Sequence, residues 1–202
     1  MPVTDRPRKE RKDNADKRRR QLMEATLRSL EAHGLAKTTL ATVAAEAGLS
    51  QGVAVFYYKS KTGLLAAALE DLYQTYEAHW RAALEAAGDD PKARLLTLIE
   101  ADFDPAICNS ATLAVWYAYW GEQSFSPQYA AISQQFHSRR AAAIEDACAA
   151  LTGEDARELS RWIDTLTDGY WHRMHLTPSA CTRESALAET KAFLARMLPG
   201  HF

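Results

Sequence analysis

The chain has 202 residues, 47% hydrophobic and 25% charged, with a formal net charge of -2 at pH 7. This composition is ordinary for a globular protein of one large or two modest domains. No run approaches the roughly 20 apolar residues of a membrane span, and no apolar segment follows the basic start, so no secretory signal is expected. Three widely spaced cysteines fit a reducing, cytoplasmic location rather than a disulfide framework or a Cys-x-x-Cys metal site. They are Cys108, Cys148 and Cys181.

Charge is distributed unevenly along the chain. Residues 1–61 carry 13 Lys and Arg against 7 Asp and Glu, whereas residues 62–202 carry 11 against 19. A basic N-terminal region followed by an acidic remainder predicts that the N-terminal region binds a polyanion. We interpret residues 1–15 as a basic, flexible tail, which is either simply solvated or follows DNA phosphates.

Apolar residues at three- and four-residue spacing, from Leu22 to Leu30, predict a first helix over residues 16–33. Gly34 follows the last apolar position and is a typical helix end. Next, Thr39 is a good N-cap for a short second helix.

A tight turn at Gly48 follows, because glycine adopts left-handed backbone angles readily. Ser50 then caps a third helix that runs from Gln51 to about Tyr57. Two short helices joined by a glycine turn form a helix-turn-helix. The spacing alone also fits an ordinary helical hairpin.

The remaining sequence predicts six further helices, with Pro91 and Pro127 suited to first turns and Gly153 to a turn. We find neither repeats nor alternating strand-like segments, so the predicted fold is all-α with about nine helices. Helices four to nine are expected over about 61–87, 91–103, 113–122, 127–151, 156–176 and 183–198, with Thr182 as the last N-cap.

No catalytic motif emerges from the sequence. A P-loop, a Gly-x-Gly-x-x-Gly loop, a Gly-x-Ser-x-Gly elbow and a His-Glu-x-x-His helix are all missing. His172 and His175 could share a helix face, but such a pair is more often hydrogen-bonded structure than a metal site. We therefore predict no enzyme, no metal and no cofactor.

The stretch "TTLATVAAEAGLSQGVAVFYYKSKTGLL" resembles the DNA-binding domain of TetR-family repressors. The likeness covers about residues 16–66 and includes the Thr before helix two, the Ala-Gly-Leu-Ser turn and the Tyr-aromatic-x-Ser-Lys ending. It implies a helix-turn-helix domain over 16–61 and a helical effector-binding and dimerisation domain over 62–202. The implied partners are a second copy of the chain and a palindromic, double-stranded operator.

Within this resemblance, the outer face of helix three is expected to read the major groove. Gln51 can pair with adenine edges, and Val53 and Val55 can touch thymine methyl groups. Phe56 or Tyr58, by contrast, is expected to pack between helices. The full set of predicted DNA contacts is Thr39, Ser50, Gln51, Gly52, Val53, Val55, Tyr57 and Lys61, of which Thr39, Tyr57 and Lys61 would hold phosphates.

The last two helices carry more apolar residues than one helix face needs for its own core. In TetR-like proteins these helices form the dimer interface, so we expect some of these residues to face a partner. The alternative, in which all of them are core, predicts a monomer. The expected interface residues are Trp162, Leu166, Tyr170, Phe193, Leu194 and Met197.

The segments "LAVWYAYWGEQ" (113–123) and "LTDGYWHR" (166–173) resemble the choline-responsive repressors of betaine synthesis, the BetI type. Aromatic faces hold a quaternary ammonium through cation–π attraction, and a carboxylate adds to it. The effector box is therefore predicted at Trp116, Trp120, Trp171 and Asp168, with choline or betaine aldehyde as effector. Tyr119 lies off the Trp116–Trp120 face and is expected to pack in the core.

Other interpretations stay open. Aromatic residues at helical spacing are usually core, so the tryptophans can also be simple packing residues between helices. The runner-up function is a TetR-type repressor of an efflux or catabolic operon that responds to another hydrophobic or cationic compound. A helical enzyme is the most distant alternative.

Overall fold

The computed structural model describes residues 6–153 and 155–202, with side chains from residue 12 onward. These ranges form nine helices and no strand, as predicted. The helices are α1 (Arg6–Lys37), α2 (Leu40–Glu46), α3 (Gln51–Tyr58), α4 (Lys61–Ala86), α5 (Pro91–Asp102), α6 (Ser110–Gln123), α7 (Pro127–Thr152), α8 (Arg157–Leu176) and α9 (Arg183–Met197).

Helix α1 starts ten residues earlier than predicted, at Arg6 instead of residue 16. The prediction relied on an apolar face, which this basic stretch lacks. The stretch is nevertheless rich in Arg, Lys and Glu, which favour a helix, and Pro7 stands in the first turn, where proline is tolerated. Residues 6–15 are therefore helical, and the first five residues of the predicted tail lie outside the described range. At Gly34, three residues before the end of α1, the backbone leaves the helical region (φ 70°, ψ 178°). The helix is therefore kinked at the glycine where its end was predicted.

Two apolar cores divide the molecule. The smaller core joins α1, α2, α3 and the start of α4, and we call this unit the head. The larger core joins α4 to α9 and the second half of α1, and we call this unit the body. Both α1 and α4 contribute to both cores, so they connect the head to the body. The core of the head consists of Leu22, Ala25, Val43, Ala44, Ala54 and Leu64.

The turn between α3 and α4 sets the direction in which the head joins the body. Lys59 ends α3 with a positive φ of 63°, and the Ser60 hydroxyl caps α4 by accepting from the Gly63 N–H at 3.0 Å. A Cβ atom at Gly63 would overlap the Tyr58 carbonyl oxygen. Only glycine therefore allows the two helices to approach this closely.

In the body, α7 packs against α4, α5, α6 and α8, while α6 also packs against α1. This arrangement leaves a small space where α4, α5, α6, α7 and α8 converge. All three cysteines are buried and unpaired. No helix in the described part of the chain is long and apolar enough to cross a bilayer.

Candidate DNA-binding surface and effector chamber

The start of α2 is fixed by a reciprocal pair of hydrogen bonds. The Thr42 N–H donates to the Thr39 hydroxyl at 3.1 Å, and the Thr39 N–H donates to the Thr42 hydroxyl at 2.8 Å. Thr39 is thus the predicted N-cap. The Thr39 N–H therefore already has a partner within the chain. Gly48 has the expected left-handed backbone, with φ 67°.

The outer face of α3 carries apolar side chains in solvent. Val55 is 40% exposed and Phe56 is 68% exposed. Of the two aromatic residues considered for packing between helices, Phe56 therefore does not pack there. Tyr58 does pack against that core, and its hydroxyl donates to the Arg19 carbonyl at 3.4 Å.

The other predicted DNA contacts differ in their solvent exposure. Gln51 and Gly52 are exposed, whereas Val53 is half-buried against the core of the head. A Cβ atom at Gly52 would meet nothing nearer than the Ser50 hydroxyl at 3.8 Å. The protein's own packing therefore does not require glycine at this position.

Ser50, Lys61 and Tyr57 differ in the contacts that they make within the chain. Ser50 stands at the N-cap position of α3, but its side chain makes no capping hydrogen bond. The Lys61 ammonium donates to the Ala36 carbonyl at 2.8 Å, so it ties α4 to the end of α1. The Tyr57 ring lies under the Arg19 guanidinium at 5.1 Å, which keeps a positive charge beside it.

The body contains a small cavity of about 40 Å³, which we call the chamber. All four residues of the predicted effector box line it. Its full lining is Tyr73 and Tyr76 from α4, Asp102 from α5, Trp116 and Trp120 from α6, His137 and Arg140 from α7, and Asp164, Thr167, Asp168 and Trp171 from α8.

Three tryptophans in mutual contact form one wall of the chamber. The ring centroid of Trp116 lies 6.0 Å from that of Trp120 and 6.3 Å from that of Trp171. Trp120 and Trp171 are 6.4 Å apart and stacked. Trp116 is only 1% exposed, and the Trp171 N–H donates to the Asp102 carbonyl at 2.8 Å. The Tyr76 ring also belongs to this cluster, with its centroid 5.9 Å from that of Trp171.

Tyr119 lies on the other side of α6, as predicted. It is 1% exposed, and its hydroxyl donates to the Leu65 carbonyl at 2.7 Å. Leu65 is in the second turn of α4, next to the head. Helix α6 therefore presents tryptophans to the chamber and a hydrogen bond to the base of the head.

A buried ion pair lies at the floor of the chamber. The Arg140 Nη2 atom donates to Asp102 at 2.8 Å and to the Leu98 carbonyl at 2.9 Å. Its Nε atom donates to the Tyr76 hydroxyl at 3.2 Å. Burial disfavours the charged guanidinium, but Asp102 and Tyr76 outweigh it and keep the pKa of Arg140 above its ordinary value. Arg140 is therefore a fixed cation whose charge is already matched by Asp102.

Two further carboxylates belong to the chamber. Desolvation, followed by the charges of Asp164 and Asp102, raises the pKa of Asp168 to about 7, although the residue as a whole is exposed to solvent. Desolvation likewise raises the pKa of Asp164 to about 6. Because Arg140 is neutralised by Asp102, the chamber holds an excess of negative charge once these two groups ionise.

His172 and His175 lie beside Tyr117, not at a metal site. The His175 ring stacks on the Tyr117 ring at 4.6 Å, and the His172 ring meets its edge at 5.4 Å. Within the described residues, no group of His, Cys, Asp and Glu side chains is arranged to hold a metal. The sequence predicted solvated or hydrogen-bonded histidines; in the structure His172 is exposed, His175 is half-buried, and both contact the Tyr117 ring.

An apolar groove of about 600 Å³ runs along the outer faces of α8 and α9. Trp162 is 41% exposed there. Leu194 was wrongly expected at an interface: it is 0% exposed, because its position on α9 faces inward to the core of the body. The other five predicted interface residues, Trp162, Leu166, Tyr170, Phe193 and Met197, line the groove together with Thr165, Gly169 and Arg173.

Seven residues of the chamber were not predicted from the sequence. Asp102, His137 and Arg140 come from α5 and α7, where no motif distinguishes them from solvated charges. Only the packing of α7 against α4 and α5 brings them to the tryptophans. The one available signal was that Arg140 falls on the inward side of α7, four residues after Phe136. The other missed residues are Tyr73, Tyr76, Asp164 and Thr167.

Two protein families match this sequence. Residues 22–68 match the family described as bacterial regulatory proteins, tetR family. Residues 91–199 match the family described as BetI-type transcriptional repressor, C-terminal. The chain is also 32% identical, over 189 residues, to the HTH-type transcriptional regulator BetI of Serratia proteamaculans, covering 91% of this chain and 94% of that protein. It is 32% identical over 185 residues to BetI of Burkholderia thailandensis, at 90% and 93% coverage.

Solved structures share the fold. A transcriptional regulator from Pseudomonas aeruginosa PAO1 superposes with a TM-score of 0.82 at 24% identity, covering 90% of each chain. A transcriptional regulator from Saccharomonospora viridis in complex with choline superposes with a TM-score of 0.80 at 20% identity, covering 89% of this chain and 96% of that one. At such identities the likeness establishes the fold.

Proposed function

Because the chain belongs to the TetR family of transcriptional regulators and carries a BetI-type C-terminal domain, we propose that it represses choline and betaine genes and responds to a quaternary ammonium. The chain is a regulator and not an enzyme. One observation carries the proposal: three contacting tryptophans and an excess of carboxylates meet in one chamber. Choline or betaine aldehyde is the proposed effector.

The chamber suits a methylated cation for a simple physical reason. A quaternary ammonium cannot donate a conventional hydrogen bond, so it is recognised by aromatic faces and by charge. Each suitably placed ring contributes about 0.5–2 kcal/mol, depending on desolvation. Trp116, Trp120 and Trp171 provide such faces, and Asp168 provides a carboxylate beside them. The choline complex of the Saccharomonospora viridis regulator, which shares this fold, supports the assignment.

In this structure the chamber is narrow, although Asp168 in its lining is exposed to solvent. Its 40 Å³ is close to the share of liquid volume of one water molecule, about 30 Å³. Choline is several times larger, so binding requires the lining residues to move apart. Trp120, the half-buried member of the three tryptophans, is the side chain with most freedom to move.

Opening of the chamber would reach the head through α6. This helix carries Trp116 and Trp120, packs against α1, and holds α4 through the Tyr119 to Leu65 hydrogen bond. A ligand that favours the open chamber must shift whatever is coupled to it. We therefore propose that effector binding reorients α1 and α4, and with them the head, so that the operator is released.

On the DNA side, we propose that α3 enters the major groove with its exposed face. Gln51 supplies the hydrogen-bonding side chain, and Val55 with Phe56 supplies apolar contacts suited to thymine methyl groups. Gly52 allows the backbone to come close. Phosphate contacts come from Thr39, Ser50, Tyr57 with its neighbour Arg19, and Lys61, with Val53 supporting the helix from below.

Regulators of this family act as dimers on operator DNA. For this chain we propose that the apolar groove on α8 and α9 is the dimer interface. Exposed Trp162 and Met197 would be buried there against a second copy. Light scattering of the purified chain should give a dimer, and Trp162→Asp should give a monomer.

Calorimetry with choline, betaine aldehyde and glycine betaine tests the effector assignment. We expect choline to bind, and Trp120→Ala to lose about two- to thirtyfold in affinity with the loss of one ring. Absence of binding by the wild type contradicts the assignment. Sequencing of genomic fragments retained by the protein tests the regulon. Recovery of efflux or other catabolic promoters, with no choline or betaine genes, would favour the alternative repressor.

A further inference from the structure

Two buried hydrogen-bond donors in the chamber have no partner within the described part of the chain. They are the Trp116 indole N–H and the Arg140 Nη1 group. Trp116 is 1% exposed and Arg140 is 5% exposed. Both residues line the chamber, on α6 and α7 respectively.

The unpaired donors stand out against their surroundings. The neighbouring Trp171 N–H donates to the Asp102 carbonyl, and the other two nitrogens of Arg140 donate to Asp102, the Leu98 carbonyl and the Tyr76 hydroxyl. Buried polar groups in native proteins are nearly always satisfied, because an unpaired donor loses its bonds to water. Two such donors in one cavity therefore indicate the position of a ligand's acceptor.

We infer that the chamber selects a ligand with two ends: a quaternary ammonium held by the tryptophans, and an acceptor oxygen that receives hydrogen bonds from Trp116 and Arg140. This inference rests on the proposed function and names the second feature that its effector must have. Trp116 would contribute to both ends, through its ring face and its N–H. Arg140 would act only at the oxygen end.

The charges in the chamber decide what kind of oxygen fits. Asp102, Asp164 and Asp168 all line the cavity, and Arg140 is already paired with Asp102. A ligand carboxylate would add a fourth acidic group to this set. A neutral oxygen accepts the same hydrogen bonds without that repulsion. The favoured ligand is thus a cation with a hydroxyl or aldehyde oxygen, such as choline or betaine aldehyde, in preference to glycine betaine.

A matched ligand series tests the inference on the wild-type protein by calorimetry. Propyltrimethylammonium has a methyl group where choline has its hydroxyl, and 3,3-dimethylbutan-1-ol keeps the hydroxyl but has no charge. We expect choline to bind about tenfold or more tightly than propyltrimethylammonium, because the latter leaves both buried donors unpaired. The neutral alcohol should bind more weakly still, and glycine betaine more weakly than choline.

The Trp116→Phe variant tests the donor itself, since it keeps an aromatic face and removes the N–H. The ratio of choline affinity to propyltrimethylammonium affinity should shrink several-fold. Trp171→Phe is the matched control: its N–H serves the Asp102 carbonyl, so the ratio should hold even if both affinities fall. Thermal unfolding of each variant checks that it is folded.

The outcomes separate the two proposals. If propyltrimethylammonium binds the wild type as tightly as choline, the oxygen end is overturned and the cation site survives. If Trp116→Phe is folded and keeps the wild-type ratio, the assignment of Trp116 is overturned. If no quaternary ammonium binds at all, the proposed function fails, and this inference fails with it.

Discussion

The head and the body depart from the usual separation of polar and apolar groups in opposite directions. The head exposes Val55 and Phe56 on α3, whereas the body buries Arg140 and Asp102 among tryptophans. Either placement costs folding free energy unless a partner compensates for it. The head is thus already shaped for a large external partner. The chamber is too narrow for a small-molecule partner and must rearrange to admit one.

The largest expected effect comes from the buried pair of the body. Arg140→Met leaves Asp102 buried without its cation, and we expect a loss of about 3–5 kcal/mol in the free energy of unfolding. Arg139→Met is the control, because Arg139 pairs with Glu77 near the surface and should contribute about 1 kcal/mol or less. Urea unfolding at one fixed protein concentration measures both. Equal losses of unfolding free energy in the two variants would show that the buried pair contributes no more to stability than the pair near the surface.

The next contrast lies within the head, between two glycines. Gly63→Ala places a methyl group against the Tyr58 carbonyl and should destabilise the chain by about 1–3 kcal/mol. Gly52→Ala meets no obstacle in the protein and should leave stability unchanged or raise it by up to about 1 kcal/mol.

The operator affinity of Gly52→Ala should change even though its stability does not fall. Gly52→Ala is expected to weaken it about tenfold, since the added methyl group faces the DNA. Thermal unfolding and fluorescence anisotropy with labelled operator distinguish the two effects. Normal operator affinity in Gly52→Ala would remove Gly52 from the proposed contact surface.

A smaller effect tests the connection between the two regions. Tyr119→Phe removes the hydrogen bond to the Leu65 carbonyl and should lower stability by about 1 kcal/mol. Choline should still bind, but it should release the operator several-fold less effectively. Tyr117→Phe, on the same helix but beside His175, is the control. Choline should release the operator from this variant as it does from the wild type. A Tyr119→Phe protein with wild-type release would show that α6 does not act through this bond.

The smallest effect is the pH dependence of choline affinity. Asp168, with its pKa raised to about 7, and Asp164, with its pKa raised to about 6, are largely neutral at pH 5 and ionised at pH 8. A cation binds the ionised form better, so affinity should rise with pH across this window. The rise is about tenfold for each unit by which choline lowers a carboxyl pKa.

The other groups around Asp168 do not reverse this direction. They are Asp102, Arg140, His137, Tyr73 and Tyr76. His137 has its pKa lowered by burial and by Arg140, and burial raises the pKa of both tyrosines. Calorimetry from pH 5.5 to 8 measures the trend, and 3,3-dimethylbutan-1-ol is the uncharged control. A choline affinity that falls with rising pH would exclude the two carboxylates as the source of attraction.

The sequence predicted the head better than the chamber, for a physical reason. Thr39, Gly48 and the ends of α2 and α3 follow from caps and backbone angles, which act over a few residues. Phe56 and Tyr58 were alternatives for packing between helices, and only the tertiary structure shows that Tyr58 packs against the head core while Phe56 stays exposed.

In the chamber, some residues could be predicted from the local sequence and others depend on tertiary packing. Trp116 and Trp120 are one helical turn apart, so their common face could be read from spacing. Arg140 and Asp102 are 38 positions apart, and nothing in either local sequence signals that they meet. The wrong placement of Leu194 has the same origin, since a helix that packs on two sides hides which apolar residue faces inward.

The central claim, that a cation opens the chamber and thereby releases the head from DNA, is tested most directly by one titration. Labelled operator bound to the protein is titrated with choline while fluorescence anisotropy is followed, and choline affinity is measured with and without the operator. We expect the anisotropy to fall to the value of free DNA, and the operator to weaken choline binding by the same factor by which choline weakens operator binding. An operator that stays bound while choline fills the chamber would contradict it.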